Sequence, residues 1–392
     1  MSFEKSFHYS IPTYITFGPG TISELAPILG RVSDTKSKVL VVTMGDIPAR
    51  TKIQEVIREA GLQACVFDEV EPNPSTRTVE RAAEVASRNK CDLVIAVGGG
   101  SVIDAAKAAA LVATNGGHAW DYTVEVQRKL VVPEKPVFPI IAVPTTAGTG
   151  AEVTQNSVLT NPDTHRKSPI RSLQICPKYA FVDPELTVTM PRNVTVATGF
   201  DAFTHAFEKA LGPEDFPFID ALAIDAMRTV FQHLEQVIAD PDNMSSRGAL
   251  HWASTQAGLC VLAESWESAL HVFSLPLSAI AGIPHGETLA LTMPVVLTEL
   301  IKVRPERVAA LTSVFGKDRK SFSGDEEACE YVQEQVLAWL DRVGLNLRLR
   351  DYQLDGSDIV RLAESVDIHR LNASWEREVN ISEVQEIYER VL

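Results

Sequence analysis

Apolar and polar positions along this chain fall into two regimes. In the first half, short apolar runs alternate with amphipathic stretches. Val39-Leu40-Val41-Val42, Ala64-Cys65-Val66-Phe67 and Leu93-Val94-Ile95-Ala96-Val97 read as strands, the first and third as fully buried ones. Thr51 to Ala60 and Thr78 to Asn89 carry apolar residues at helical spacing. An extended start around Tyr14-Ile15-Thr16-Phe17 reads as an edge, followed by a turn at Gly18-Pro19-Gly20 and a helix from Thr21 to Leu29. Further strands are expected near Phe138 to Val143 and at Ala180-Phe181-Val182. Such alternation implies a parallel sheet covered by helices on both faces.

Beyond about Thr187 the period changes. Asn193 to Leu211, Ile219 to Ile238, Arg247 to Leu262, Glu287 to Leu300, Pro305 to Phe315, Glu326 to Val343 and Ser382 to Leu392 all read as helices. Pro162-Asp163 and Gly212-Pro213-Glu214-Asp215 read as loops. At 392 residues the chain exceeds the size at which one core keeps growing. The expectation is an α/β domain over residues 1–186 and an all-helical domain over residues 187–392.

Composition narrows the partners. A formal charge of −15 and a pI near 5.1 oppose a nucleic-acid partner, and no Lys/Arg block overrides that field. Cys65, Cys91, Cys176, Cys260 and Cys329 are odd in number, scattered and never in a CxxC pair, which speaks against a disulfide framework or a cysteine zinc site and fits a reducing cytosol. The start Met1-Ser2-Phe3-Glu4-Lys5 lacks a basic segment followed by an apolar run. No uncharged apolar stretch of roughly 18 residues occurs either. A cytoplasmic protein with no membrane partner is expected.

Two turns have anion-binding character. Gly98-Gly99-Gly100-Ser101 follows a strand and opens a helix from Val102 to Ala113, so backbone N–H groups and the positive helix end face the crevice. Glycines there let the backbone approach a phosphate that a β-carbon would hold off. Ser101 is expected to cap the helix, with Asp104 as the acidic partner of a capping box. Pro144-Thr145-Thr146-Ala147-Gly148-Thr149-Gly150 repeats the pattern and adds three hydroxyls suited to phosphate and ribose. Each turn alone is equally a tight connection or a polar loop. After Val39 to Thr43 the chain has Met44-Gly45, with Asp46 later, where a dinucleotide fold usually places an acid for the ribose 2′-hydroxyl, so NAD and NADP both stay open. Arg166, Lys167 and Arg171 suit a phosphate or an anionic substrate, or a solvated basic loop.

Four side chains suit a borderline divalent ion: Asp201, His205, His271 and His285. Asp201 and His205 are four positions apart in a helical pattern and share a face. Taken singly, the pair reads as a surface hydrogen bond, His271 as a core histidine, and His285 as a capping or loop histidine.

Taken together, these residues resemble the iron-containing (group III) alcohol dehydrogenases over essentially the full length. The resemblance rests on Gly98 to Ser101 with Asp104 and Lys107, on Pro144 to Thr154, on Gly199-Phe200-Asp201-Ala202 with Thr204-His205-Ala206, and on His271 followed fourteen positions later by His285 in Pro284-His285-Gly286. It implies a dehydroquinate-synthase-like fold, an amino-terminal dinucleotide domain and a helical metal-binding domain, with the active site in the cleft between them, and a homodimer. It makes Asp201, His205, His271 and His285 ligands for Fe²⁺, or for Zn²⁺ or another divalent ion. Cofactor contacts pass to Asn73, Gly98, Gly99, Gly100, Ser101, Asp104, Thr145, Thr146, Thr149 and Lys167.

The implied reaction is hydride transfer between nicotinamide C4 and a small primary alcohol or aldehyde, the ion acting as Lewis acid. No protein base is identified: the position four after the third ligand, a histidine in many members, is Leu275 here, and the usual small residues before His271 are replaced by Glu264-Ser265-Trp266-Glu267-Ser268. Those departures keep an acidic aldehyde or oxo acid open as substrate. They also keep open a non-catalytic nucleotide-binding relative, and the same fold supports a lyase of the dehydroquinate synthase type.

Overall fold

The computed structural model describes residues 8–32, 37–124, 131–212, 216–263 and 269–392; Met1 to Lys5, Pro213-Glu214-Asp215 and Glu264 to Ser268 lie outside the described residues. Within them the apolar runs of the first half are strands: β1 (Tyr14–Phe17), β2 (Lys38–Thr43), β3 (Gln63–Phe67), β4 (Leu93–Gly98) and β5 (Ile140–Pro144). A hairpin of β6 (Asn156–Asn161) and β7 (Arg166–Arg171) follows, then β8 (Tyr179–Val182). The helices between them are α1 (Leu25–Val32), α2 (Pro48–Glu59), α3 (Thr76–Asn89) and α4 (Gly100–Asn115).

Six strands form one parallel sheet in the order β1-β8-β5-β4-β2-β3. β4 and β5 are buried at every position because both faces are covered. Leu40, Val42, Val94 and Ala96 pack with Val79, Ala82, Val102 and Ala106 on one face. Val39, Val41, Ile95 and Val97 pack with Leu25, Leu29, Ile53 and Ile57 on the other. Each such aliphatic side chain contributes roughly 1.5–3 kcal/mol by leaving water, so an uninterrupted apolar run is what a central strand requires. From β2 the chain moves through α2 to β3 on one side, and from β4 through α4 to β5 on the other. Neighbouring strands that send their connections opposite ways leave a crevice beyond their carboxyl ends.

The rest is helical: α5 (Arg192–Ala210), α6 (Pro217–Ala239), α7 (Met244–Leu262), α8 (Ala269–Ala281), α9 (His285–Val303), α10 (Pro305–Ala310), α11 (Asp325–Val343), α12 (Gly356–Glu364), α13 (Ile368–Trp375) and α14 (Ile381–Glu389). Phe200, Phe203 and Phe207 recur along one side of α5, and Phe203 packs on Phe315 and on Trp339 of α11. Asn243 caps α7, accepting from the Ser246 N–H, and Asn380 with Glu383 makes a capping box on α14. The chain divides into two compact units, Ser10–Met190 and Pro191–Leu392, the latter joined by His8 and Tyr9. Among the described residues no helix is long and apolar enough to cross a membrane.

Three readings of the sequence change. Arg166, Lys167 and Arg171 belong to strand β7, antiparallel to β6, not to a loop. α8, α12 and α13 exist where no helix was expected, and Pro276 interrupts the pattern of α8. Finally, α4 starts at Gly100 with Gly99 as its N-cap, and no side chain caps it. Ser101 and Asp104 bond elsewhere, so the expected capping box is absent.

Candidate functional site

The two small-residue turns meet. β4 and β5 are neighbours with Gly98 opposite Pro144, and the Thr145 N–H donates to the Gly98 carbonyl at 3.0 Å. A β-carbon on Gly99 would stand 3.0 Å from the Thr146 side chain, and one on Gly100 would stand 2.5 Å from Thr149. Gly98 has φ +158°, and a β-carbon there would strike Val102 at 2.6 Å. The glycines therefore let two crevice loops close on one another at the helix α4 terminus, leaving backbone N–H groups for an anion.

Around this cradle the remaining expected cofactor residues are tied together. The Asn73 N–H donates to Ser101 Oγ at 3.2 Å, and Lys167 Nζ donates to Asn73 Oδ1 at 2.7 Å. Asn73 itself sits at φ +57°. Asp104 Oδ2 accepts from the Val158 N–H at 3.1 Å. Burial raises its carboxyl to about 6, although Lys107 and Lys167 pull the other way. Thr149 Oγ1 accepts from the Ala151 N–H. Lys167 thus joins the Asn73 turn, while Arg166 and Arg171 lie on exposed positions of β7.

Sequence reasoning gave Lys107 no role of its own. Wholly buried, its ammonium donates to the carbonyls of Ala151 (2.6 Å), Thr154 (2.8 Å) and Asn156 (2.8 Å) and to Thr154 Oγ1 (3.1 Å). The second turn is fastened to α4 from beneath. A Lys in the middle of the alanine run 105–110 was the available signal.

In the helical unit, three elements bring the metal-capable residues together. Asp201 and His205 lie one turn apart on α5, His271 is in the first turn of α8, and His285 opens α9. The Nε2 atoms of His205, His271 and His285 stand 3.3, 3.6 and 3.7 Å from Asp201 Oδ1. Asp201, His271 and His285 each place one ligand atom within 4.8 Å of the others. His205 meets the group through Asp201 and by stacking on His271, ring centroids 4.3 Å apart.

The donor set fits a divalent ion. Donors about 2.0–2.1 Å from a tetrahedral ion stand about 3.4 Å from one another, close to the spacing around Asp201 Oδ1. Among the described residues that buried oxygen has no hydrogen-bond partner, a costly state for a carboxylate unless a cation answers it. Burial would raise the Asp201 carboxyl, but His205, His271 and His285 outweigh it and hold it below the usual carboxylate range. Burial pushes His205 down to about 4, so it offers a neutral imidazole. At His271 burial is outweighed by Glu208 and Asp201, which raise it to about 9. Two buried carboxylates make this a place that favours positive charge.

Glu208 also escaped the sequence. Its Oε2 lies 2.5 Å from His271 Nδ1, and its Oε1 accepts from the Leu270 N–H at 2.6 Å. Such a carboxylate fixes the ring's orientation and would present Nε2 to an ion bound beside Asp201. Its position seven after Asp201, on the same helical face, was the signal. Leu275 follows His271 by one turn of α8 and carries no titratable group.

Comparison with known proteins follows the same division. Residues 12–184 match the family described as iron-containing alcohol dehydrogenase, and residues 195–392 match the Fe-containing alcohol dehydrogenase family, C-terminal. The chain is 32% identical to the NAD-dependent methanol dehydrogenase of Bacillus methanolicus, covering 86% of each chain. It is also 32% identical to the 1,3-propanediol dehydrogenase of Citrobacter freundii, covering 98% of each. A crystal structure of 1,3-propanediol oxidoreductase superimposes with a TM-score of 0.90 at 31% identity, covering 99% of this chain and all of that one.

Proposed function

The chain belongs to the iron-containing alcohol dehydrogenase family and is an NAD(P)-linked oxidoreductase of that kind, and from this premise we propose which residues do the work. Asp201, His205, His271 and His285 hold the divalent ion, with Fe²⁺ first and Zn²⁺ as the alternative. The observation that carries the reading is the unpartnered Asp201 Oδ1 ringed by three imidazole nitrogens. Gly98, Gly99, Gly100 and Ser101 with Thr145, Thr146 and Thr149 receive the pyrophosphate, and Asn73, Asp104 and Lys167 shape the surrounding turns. Residues 1–186 are then the dinucleotide-binding domain and 187–392 the metal-binding domain.

When bound, the ion supplies Lewis-acid polarisation of an alcohol or carbonyl oxygen, and NAD(P) supplies or accepts hydride. The protein's own residues orient and tune. Glu208 sets the His271 ring, Lys107 fixes the second turn against α4, and Leu275 keeps an apolar surface one turn from a ligand. The substrate class is a small primary alcohol or its aldehyde, in line with the methanol and propanediol dehydrogenases this chain is similar to. A cytoplasmic homodimer belongs to the same proposal.

The test is elemental analysis of freshly purified protein coupled to reduction of short-chain aldehydes with NADH and NADPH. One equivalent of iron or zinc and a steady fall in nicotinamide absorbance are expected, with both lost in His271→Ala and His285→Ala. Full turnover by chelated protein would overturn the role given to the ion, and product formation without net nicotinamide oxidation would mark a lyase.

A further inference from the structure

Two cysteines outside the oxidoreductase site lie against each other in the α/β unit. Cys65 is the third residue of β3, and Cys91 follows the end of α3 just before β4. Lys90 ends that helix at φ +57°, and the Cys91 N–H then bonds back to the Ala86 carbonyl. This turn aims Cys91 towards β3: the two Sγ atoms are 3.1 Å apart, across 26 positions of sequence. A disulfide bond is about 2.05 Å long, so about 1 Å of approach separates contact from bond. Among the described residues β3 ends the sheet and pairs with β2 alone, which leaves it room to yield.

The two thiols differ in a way that assigns roles. Cys65 is half-buried, whereas Cys91 is only 4% exposed. The Cys91 S–H beside Cys65 draws that thiol down and favours its thiolate. The same contact, together with burial, pushes Cys91 up and keeps it protonated. Burial also raises Cys176, Cys260 and Cys329. Among the described residues their sulfurs contact Thr13 and backbone carbonyls.

We propose that Cys65 and Cys91 form a redox-responsive dithiol, oxidised to an intramolecular disulfide by low-molecular-weight disulfides. Cys65 thiolate attacks one sulfur of the small disulfide; a mixed disulfide forms and the first thiolate leaves. Cys91 then gives up its proton, and its sulfur attacks Cys65 Sγ, breaking the mixed disulfide and forming the Cys65–Cys91 bond. Two protein thiols are oxidised, and one small disulfide is reduced to two thiols. The segment so closed carries Asn73 and Ser75, which places a covalent clamp around the turn that meets Ser101 and Lys167.

The experiment incubates the purified holoprotein with oxidised glutathione at pH 7.5, blocks remaining thiols with N-ethylmaleimide and maps peptides without reductant. Loss of two of the five thiols is expected, with one linked pair containing Cys65 and Cys91, reversed by dithiothreitol. The rate should be at least ten-fold above that of the other three cysteines and should rise with pH as the Cys65 thiolate forms. Cys91→Ser should stop at glutathione on Cys65, and Cys65→Ser should leave Cys91 unmodified. Wild-type protein that keeps glutathione on Cys65 with no linked pair, or that reacts first at Cys176, Cys260 or Cys329, overturns the proposal whatever the variants do.

Discussion

Glu208 stands behind the proposed ligand set. Both its oxygens are committed, one to the His271 ring and one to the Leu270 N–H, so its negative charge is spent on orienting one imidazole and raising its basicity. Glu208→Gln preserves the shape and removes the charge. Metal affinity should fall about 10–100-fold, read by competition against a chelator of known affinity; an unchanged affinity would reduce the contact to scaffolding. His251 makes a different residue-scale statement. It is fully buried in α7, among the described residues neither ring nitrogen is hydrogen-bonded, and burial pushes it down to about 3. The folded chain keeps it neutral while the unfolded chain takes up a proton below about 6.5. The unfolded state therefore binds more protons, and stability must fall as pH drops from about 6.5 towards 3, by about 1.4 kcal/mol per pH unit from this group. Denaturant titrations at pH 7 and pH 5 should show wild type losing more stability than His251→Leu; equal losses would count against it.

At the scale of elements, a glycine sets how closely α5 and α9, the helices of three proposed ligands, approach. A β-carbon on Gly286 would lie 2.1 Å from the Ala197 carbonyl oxygen, so the first turn of α9 rests on the backbone of α5. His285 precedes that glycine and Asp201 follows Ala197 by one turn, which makes the contact a spacer for two ligands. Gly286→Ala should cost about 1–3 kcal/mol as overpacking and lower metal content, seen as a reduced melting temperature with substoichiometric metal; full loading would mean the helices can part harmlessly. Elements of this kind were legible where one physical signal dominated. The buried strands wrote themselves as apolar runs, and Asp201 with His205 showed the helical four-residue step. α8 was hidden because Pro276 breaks its pattern: an interior proline removes a hydrogen bond and crowds the preceding turn, a cost of about 3 kcal/mol that packing around α8 must outweigh. The hairpin β6–β7 was hidden because its outer strand is basic and half exposed. The capping box at Ser101 failed because backbone geometry at Gly98 to Gly100 already starts α4, freeing Ser101 and Asp104 to bond to Asn73 and Val158. Glu208 pairs with a residue 63 positions away, a distance no local period encodes.

For the whole molecule the consequence is linkage between metal and stability. The helical unit buries Asp201 and Glu208 within one cluster, and their charge is answered only partly by imidazoles that burial keeps from charging freely, as at His205. An ion that binds the folded site and not the unfolded chain stabilises by about 2.7 kcal/mol at one hundred times its dissociation constant. With about 2–4 °C per kcal/mol for a unit of roughly 200 residues, saturating Fe²⁺ or Zn²⁺ should raise the melting temperature by about 5–11 °C over chelated protein. The rise should grow with the logarithm of free metal, because each ten-fold increase adds about 1.4 kcal/mol. Asp201→Ala should abolish that dependence while leaving a separate stabilisation by NAD(P)H, since the residues proposed to receive the dinucleotide all belong to the α/β unit. A melting temperature indifferent to metal in the wild type would mean that the cluster balances its own charge, and the ligand assignment would have to be withdrawn.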